Sequence, residues 1–273
     1  MWCDRACPVT PHAENGDLMT VQTLVVTTDQ TDHALPERMN IQTDAIIGNQ
    51  CGRHAIDEFE YDGHKMQMIC SRQRGVGINR NEVMMRADAD ICVLADDDMT
   101  FLTGYEAAVC GWFERLPDAD MLIFNLEGGK KRHRNTKVCR VNRVNYGKYG
   151  TARLAFRTRA VRFSGVLFHT MFGGGAEYCC GEDTLFLMDC LRKGLKIYGV
   201  PDSIAQISDV DSTWFQGYTD KFFFDKGVLY YALNKRLCTM HAVIHCLHYR
   251  KKYCEYGWRK ALKQMQKGIR AAK

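Results

Sequence analysis

Five short apolar runs recur along the first half of the chain, and helix-length segments separate several of them. Val21–Thr27 (VQTLVVT), Ala45–Gly48, Lys65–Cys70, Ile91–Ala95 and Met121–Asn125 read as strands; Leu35–Ile41, Asn79–Ala87 and Thr103–Arg115 read as helices. A strand that is apolar along its whole length belongs in a sheet covered on both faces, because a half-exposed strand would alternate. The β-α-β rhythm therefore predicts an α/β fold with a mostly parallel sheet between helices. Sheets of this kind bind ligands at the carboxyl ends of their strands. Thr27 and Thr28, Asn49, and Asp96 to Asp98 stand at such ends. The second half is less regular: strands at Thr151–Arg157 and Lys196–Val200, helices at Glu182–Lys193 and Tyr218–Leu233, and a turn at Gly173-Gly174-Gly175.

At 273 residues, with 46% hydrophobic and 25% charged residues, the chain has the composition of a folded domain rather than a disordered or low-complexity one. No apolar run reaches the roughly 18 residues that a spanning helix needs. Residues 1–18 carry prolines and carboxylates without the apolar core of a signal peptide, and read as a disordered leader. Thirteen cysteines, an odd number in a chain of this length, favour a reduced, cytoplasmic compartment. Cys238, Cys246 and Cys254 recur near His241, His245 and His248. They read as thiols on a helix in preference to a zinc site, for want of a C-x-x-C pair.

The net charge is +5, unevenly placed. His248–Lys273 holds nine basic residues against Glu255 alone, interleaved with Tyr249, Tyr253, Tyr256, Trp258 and Leu262. The reading is a basic helical tail over 236–273. Either it meets an anionic membrane surface, placing the protein at the inner face of the cell membrane, or it packs its aromatic face on the domain. Nothing reads as a nucleic-acid module. A second basic segment, from Lys130 to Arg143, lacks helical periodicity and reads as an exposed loop.

The strongest chemical signal is Asp96-Asp97-Asp98, where the Ile91–Ala95 strand ends. Three adjacent carboxylates repel one another unless a cation or hydrogen-bond donors compensate. The first and third can converge on a divalent ion, and hard oxygen donors suit Mg²⁺ or Mn²⁺. A helix cap would need only one of them. The second signal is Gly181-Glu182-Asp183 opening a helix. The dipole favours acids there, and either one could serve as a general base.

Taken together, these segments resemble the family-2 glycosyltransferases, which have the GT-A fold. The resemblance rests on LVVTT at Leu24–Thr28, RGVGINRN at Arg74–Asn81, ICVLADDDM at Ile91–Met99 and GEDTLFLMDCLRKGLKIYGVP at Gly181–Pro201. STWFQGYTDKFFFDKG at Ser212–Gly227 is similar to a bacterial branch acting in surface-polysaccharide assembly. The span is roughly Met19 to Leu233, within a domain set at 19–235.

The resemblance implies a D-x-D motif at Asp96–Asp98, with Asp96 and Asp97 toward the nucleotide sugar and Asp98, beside Asp96, on the metal. It puts Thr27, Thr28 and Asn49 in the nucleotide-base region and Arg74 and Arg80 at the border of the nucleotide. Asp183 is then the catalytic base, with Glu182 beside it. The implied reaction is inverting, metal-dependent transfer from a nucleotide sugar, a UDP-sugar foremost, to a hydroxyl on a saccharide or lipid-linked acceptor. Some relatives carry a late His as a further metal or diphosphate contact. Here IAQISDVDSTW has none, and Asp209 or Asp211 is the substitute at hand.

Three alternatives compete. Asp96–Thr100 also fits the D-x-D-x-T of haloacid-dehalogenase-type phosphatases, although that motif normally opens its fold. A sugar-nucleotide nucleotidyltransferase would want a Gly-rich loop after the first strand, and Thr27–Asp32 has no Gly. A non-catalytic binding module would not need the carboxylates.

Overall fold

The computed structural model describes residues 19–128, 133–207 and 217–273. The leader, Lys130 to Arg132, Asp209, Asp211 and Trp214 lie outside the described residues. In chain order the strands are β1 (Val21–Thr28), β2 (Asp44–Gln50), β3 (Ala55–Tyr61), β4 (His64–Ser71), β5 (Ile91–Asp96), β6 (Met99–Phe101), β7 (Met121–Glu127), β8 (Cys139–Val141), β9 (Leu154–Arg157) and β10 (Ile197–Ile207). The helices are α1 (Leu35–Arg38), α2 (Val76–Arg86), α3 (Tyr105–Arg115), α4 (Thr158–Ser164), α5 (Glu182–Arg192), α6 (Asp220–Leu233), α7 (Cys238–His248) and α8 (Trp258–Ala271).

The strands form one sheet in the order β3-β4-β2-β1-β5-β9-β7-β10-β6, with β8 beside β10. β4, β2, β1 and β5 run parallel, as do β7 and β10; β9 is antiparallel between β5 and β7. Side chains alternate across each strand, and β1 shows the consequence. Val21 and Val25 enter a core with Ile47, Val93 and Phe113 on one face. Leu24 and Val26 enter another with Ile46, Leu94, Val83 and Phe186 on the other. Helices α1 and α3 cover the first face; α2, α4 and α5 cover the second. In this interior Tyr105 Oη lies 2.7 Å from Thr23 Oγ1 and 2.9 Å from Thr43 Oγ1.

The sequence reading omitted three strands, among them β8, which lies within the segment read as an exposed loop and pairs antiparallel with β10. β3 alternates half-buried and exposed residues and pairs antiparallel with β4 through a turn at Asp62-Gly63. β6 is three residues long and pairs antiparallel with β10.

The tail resolves into two helices packed with α6. Phe223, Cys238, Ala242, Cys246, Tyr253, Ala261, Met265 and Ile269 form one buried cluster, with Tyr256, Trp258 and Leu262 against it. Tyr253, Tyr256 and Trp258 therefore face the protein, as in the second of the two arrangements expected, while Tyr249 stays exposed. His245 is clamped between Tyr230 Oη and Tyr253 Oη, each at 2.7 Å. Burial, then the nearby Lys226, His248 and Lys252, pulls its pKa down to about 4, so it is neutral. Among the described residues no three His, Cys, Asp or Glu converge to hold a metal, which argues against zinc at the cysteine–histidine repeat.

Candidate active site

The site lies at the carboxyl edge of the parallel strands. Register fixes it there: Thr27 pairs with Asn49, and Val26 with Asp96. Asp97 and Asp98 form the turn that leaves β5 for β6, and both are exposed.

Arg80, on α2, organises the acidic groups. Its side chain is 4% exposed. Nη2 donates to Asp96 Oδ1 at 2.8 Å, and Nη1 donates to Asp183 Oδ1 at 2.7 Å. Glu182 Oε1 is 3.6 Å from Nη1. The guanidinium also lies over the Phe168 ring, 5.2 Å from its centre. Burial lowers the Arg80 pKa, but the charges of Asp96, Asp183 and Glu182 outweigh it, and the net shift is upward. One fixed cation thus joins the acidic triplet to the acidic pair, although the two are far apart in sequence. Its planar fork suits two carboxylates in different directions better than an ammonium would.

Glu182 and Asp183 open α5, where the dipole favours acids. Asp183 Oδ1 also accepts from Thr151 Oγ1, in the bend ahead of β9. Burial, then the charge of Asp183, pushes the Glu182 carboxyl up to about 7, against the opposing pull of Arg80. Two glycines hold this corner. Gly181, at φ 122°, leaves no room for a Cβ beside Leu229; Gly173, at φ 102°, would put one 2.7 Å from Glu182 Cδ.

The nucleotide-side residues divide into two groups. Thr27 donates its hydroxyl to Asp97 Oδ2 and accepts from Gln30 Nε2 at 2.8 Å. Asn49 is fully buried and grips Gln30 from beneath, accepting from its N–H at 3.1 Å and donating to its carbonyl at 2.9 Å. It positions the loop rather than facing the cleft. Thr28 is half-buried at the end of β1. Arg74 sits at the rim, with Nη2 2.9 Å from Asp29 Oδ1 and Nη1 2.9 Å from the Gln50 carbonyl. The structure therefore brings together Thr27, Asp97, Arg80, Asp96, Glu182 and Asp183, with Asn49 below them and Arg74 beside them. The sequence reading did not single out Gln30, Thr151 or Phe168. No local motif marks them; only the assembled fold brings them to the acids.

The donors suit a divalent cation chemically: Asp96 and Asp98 would offer it hard carboxylate oxygens at the mouth. Arg80 already engages one oxygen of Asp96, and no three-ligand cluster exists among the described residues. The described residues would then supply part of the shell, with diphosphate and water completing it, the usual arrangement for Mg²⁺.

No protein-family model and no curated protein matches the chain. Solved structures do. S. aureus TarS 1–349 in complex with UDP-GlcNAc superposes with a TM-score of 0.58 at 13% identity, over 79% of this chain and 67% of that one. A second S. aureus TarS 1–349 structure gives 0.58 at 11% identity over 93% of this chain and 91% of that one. The longer TarS gives 0.56 at 12% over 85% of this chain, which spans 44% of it. Together with the sheet order and the helices on both faces, this similarity establishes the α/β fold as the GT-A type of glycosyltransferases.

Proposed function

We propose that the chain is a family-2 glycosyltransferase that moves a sugar from a nucleoside diphosphate sugar to an acceptor hydroxyl, with inversion and with a divalent metal, in surface-polysaccharide or glycolipid synthesis. The observation that carries this reading is the single buried Arg80 linking Asp96 to Asp183. It sets a diphosphate-facing acidic turn and a helix-opening acidic pair on one cleft. The TarS complex with UDP-GlcNAc supports a nucleotide-sugar donor, with a UDP-sugar first among the choices.

In this reading Asp98, with Asp96, holds the metal, which supplies charge neutralisation on the leaving diphosphate. Thr27, Gln30 and Asp97 form the floor at the β1 end and meet the nucleoside. Asp183 takes the proton from the acceptor hydroxyl as that oxygen attacks the anomeric carbon from the face opposite the diphosphate. Arg80 and Thr151 orient its carboxylate by binding one oxygen, which leaves the other for the acceptor.

The test has two parts. A thermal-shift screen of UDP-, GDP-, TDP- and CMP-sugars with Mn²⁺ identifies the donor, since a ligand that binds only the folded state raises the midpoint. Product stereochemistry then tests the displacement. Asp183→Asn should lower turnover by roughly 10²–10⁴-fold with donor binding kept. Retained configuration, or full turnover by that variant, removes the proposed base.

A further inference from the structure

The α7 helix is apolar on two opposite faces. Inward, Cys238, Ala242 and Cys246 pack on α6 and α8. Outward, Leu237, Met240, Ile244 and Leu247 follow at spacings of three, four and three residues and are 43%, 47%, 54% and 48% exposed. Cys238–His248 (CTMHAVIHCLH) contains no Lys, Arg, Asp or Glu. An exposed helix in a water-facing position normally carries charge on its outer side; one that is apolar all round is covered by something.

The surrounding charge indicates what covers it. Lys235 and Arg236 stand at the N-terminal end of the stripe, and Arg250, Lys251 and Lys252 at the C-terminal end, all exposed. Between Asp225 and Glu255 the chain has no acidic residue. An apolar ridge between basic clusters suits an interface of hydrocarbon below anionic headgroups. A second copy of the chain is disfavoured, because two such ridges packed on each other would oppose basic clusters to basic clusters. Of the tail aromatics that also suggested a membrane, Tyr253, Tyr256 and Trp258 pack inward, whereas Tyr249, at the C-terminal end of α7, is 38% exposed.

We infer that the outer face of α7, Leu237-Met240-Ile244-Leu247 with its flanking Lys and Arg residues, docks the protein on the surface of an anionic lipid bilayer. The helix lies in the interface plane with these four side chains in the acyl boundary. This surface is separate from the Arg80 cleft, so the inference does not rest on the glycosyl-transfer reading.

The test is sedimentation of the full chain with vesicles of phosphatidylcholine, with and without phosphatidylglycerol. Binding should be at least roughly tenfold tighter to the anionic vesicles and should weaken as salt rises. Ile244→Glu should weaken it roughly tenfold by placing a charge in the acyl boundary. The triple change Arg250→Ser, Lys251→Ser, Lys252→Ser, at exposed positions that leave the core untouched, should remove the preference for anionic lipid. Thermal midpoints and sugar-nucleotide shifts of both variants should match the parent protein. No binding, equal binding to neutral vesicles, or retention of anionic binding by both variants overturns the inference. So does a dimer in solution that Ile244→Glu splits without any vesicle binding.

Discussion

Asp96 and Asp183 share one guanidinium: the two carboxylates, 87 residues apart in the chain, take opposite Nη atoms of Arg80 at 2.8 and 2.7 Å. The contact makes the position of the proposed base depend on that of the proposed metal turn. It also cancels part of the repulsion that Asp96, Asp183 and Glu182 would exert in a half-buried space.

Replacing Arg80 should therefore damage both ends of the cleft at once. Arg80→Lys keeps the charge but loses the two-pronged geometry, and kcat/KM should fall by roughly 10²-fold. Arg80→Met removes the cation from three acids and should also cost on the order of 2–3 kcal/mol of stability. Steady-state kinetics and urea unfolding read the two effects separately. A lysine variant with parental kcat/KM would refute the shared-cation account.

Glu182 gives the cleft a pH dependence whose sign can be worked out. Burial, then Asp183, raises its pKa from the ordinary 4.5 to about 7 in the folded state. The folded state thus holds this proton more tightly than the unfolded chain. Its stabilising contribution is complete below about pH 4.5, declines as pH rises, and is gone above about 7. The loss is on the order of 2–3 kcal/mol, discounted for residual exposure. Glu182→Gln should remain flat over that window relative to the parent protein. Urea unfolding at several pH values gives the difference, and parallel curves would show that Glu182 does not titrate as stated.

Much of the frame was legible in the sequence because buried parallel strands write themselves as unbroken apolar runs. Val21–Thr27 and Ile91–Ala95 match β1 and β5 to within a residue. β3 was not legible: Ala55–Tyr61 carries acids on its exposed side, and only its pairing with β4 makes it a strand. The acidic residues of the site were legible because like charges in sequence demand an explanation. Thr151 was not, because a single hydroxyl gains its role only when β9 brings it to Asp183. Asn49 was read as part of the base region; it is buried, and its amide holds the Gln30 backbone. Sequence reveals which groups stand at a strand end, but not whether they point up into the cleft or down into the sheet.

The metal proposal predicts a ligand effect as well as an activity effect. If Asp98 anchors a cation that bridges to the diphosphate, Mn²⁺ should enlarge the thermal shift given by UDP, and EDTA should reverse it. Asp98→Ala should abolish the Mn²⁺-dependent increment while leaving any metal-free shift. An undiminished increment in Asp98→Ala would move the metal elsewhere.

The corner glycine offers a test of positioning with a built-in control. Gly173 has φ 102°, and an added Cβ would stand 2.5 Å from Val76 Cγ1 and 2.7 Å from Glu182 Cδ. Its N–H donates to the Tyr178 carbonyl at 2.9 Å, so the turn cannot rotate away freely. Gly173→Ala should cost about 1–3 kcal/mol from the left-handed backbone alone, with more if Val76 cannot shift. Because the contact presses on Glu182, transfer should fall further than donor binding. Gly111→Ala is the control: it sits inside α3, and no atom lies within 4 Å of its added Cβ. There the same methyl group should stabilise by about 0.5–1 kcal/mol through helix propensity. Thermal unfolding of the two variants should therefore shift in opposite directions. A Gly173→Ala protein with parental midpoint and turnover would show that the corner does not hold Glu182 as the packing indicates.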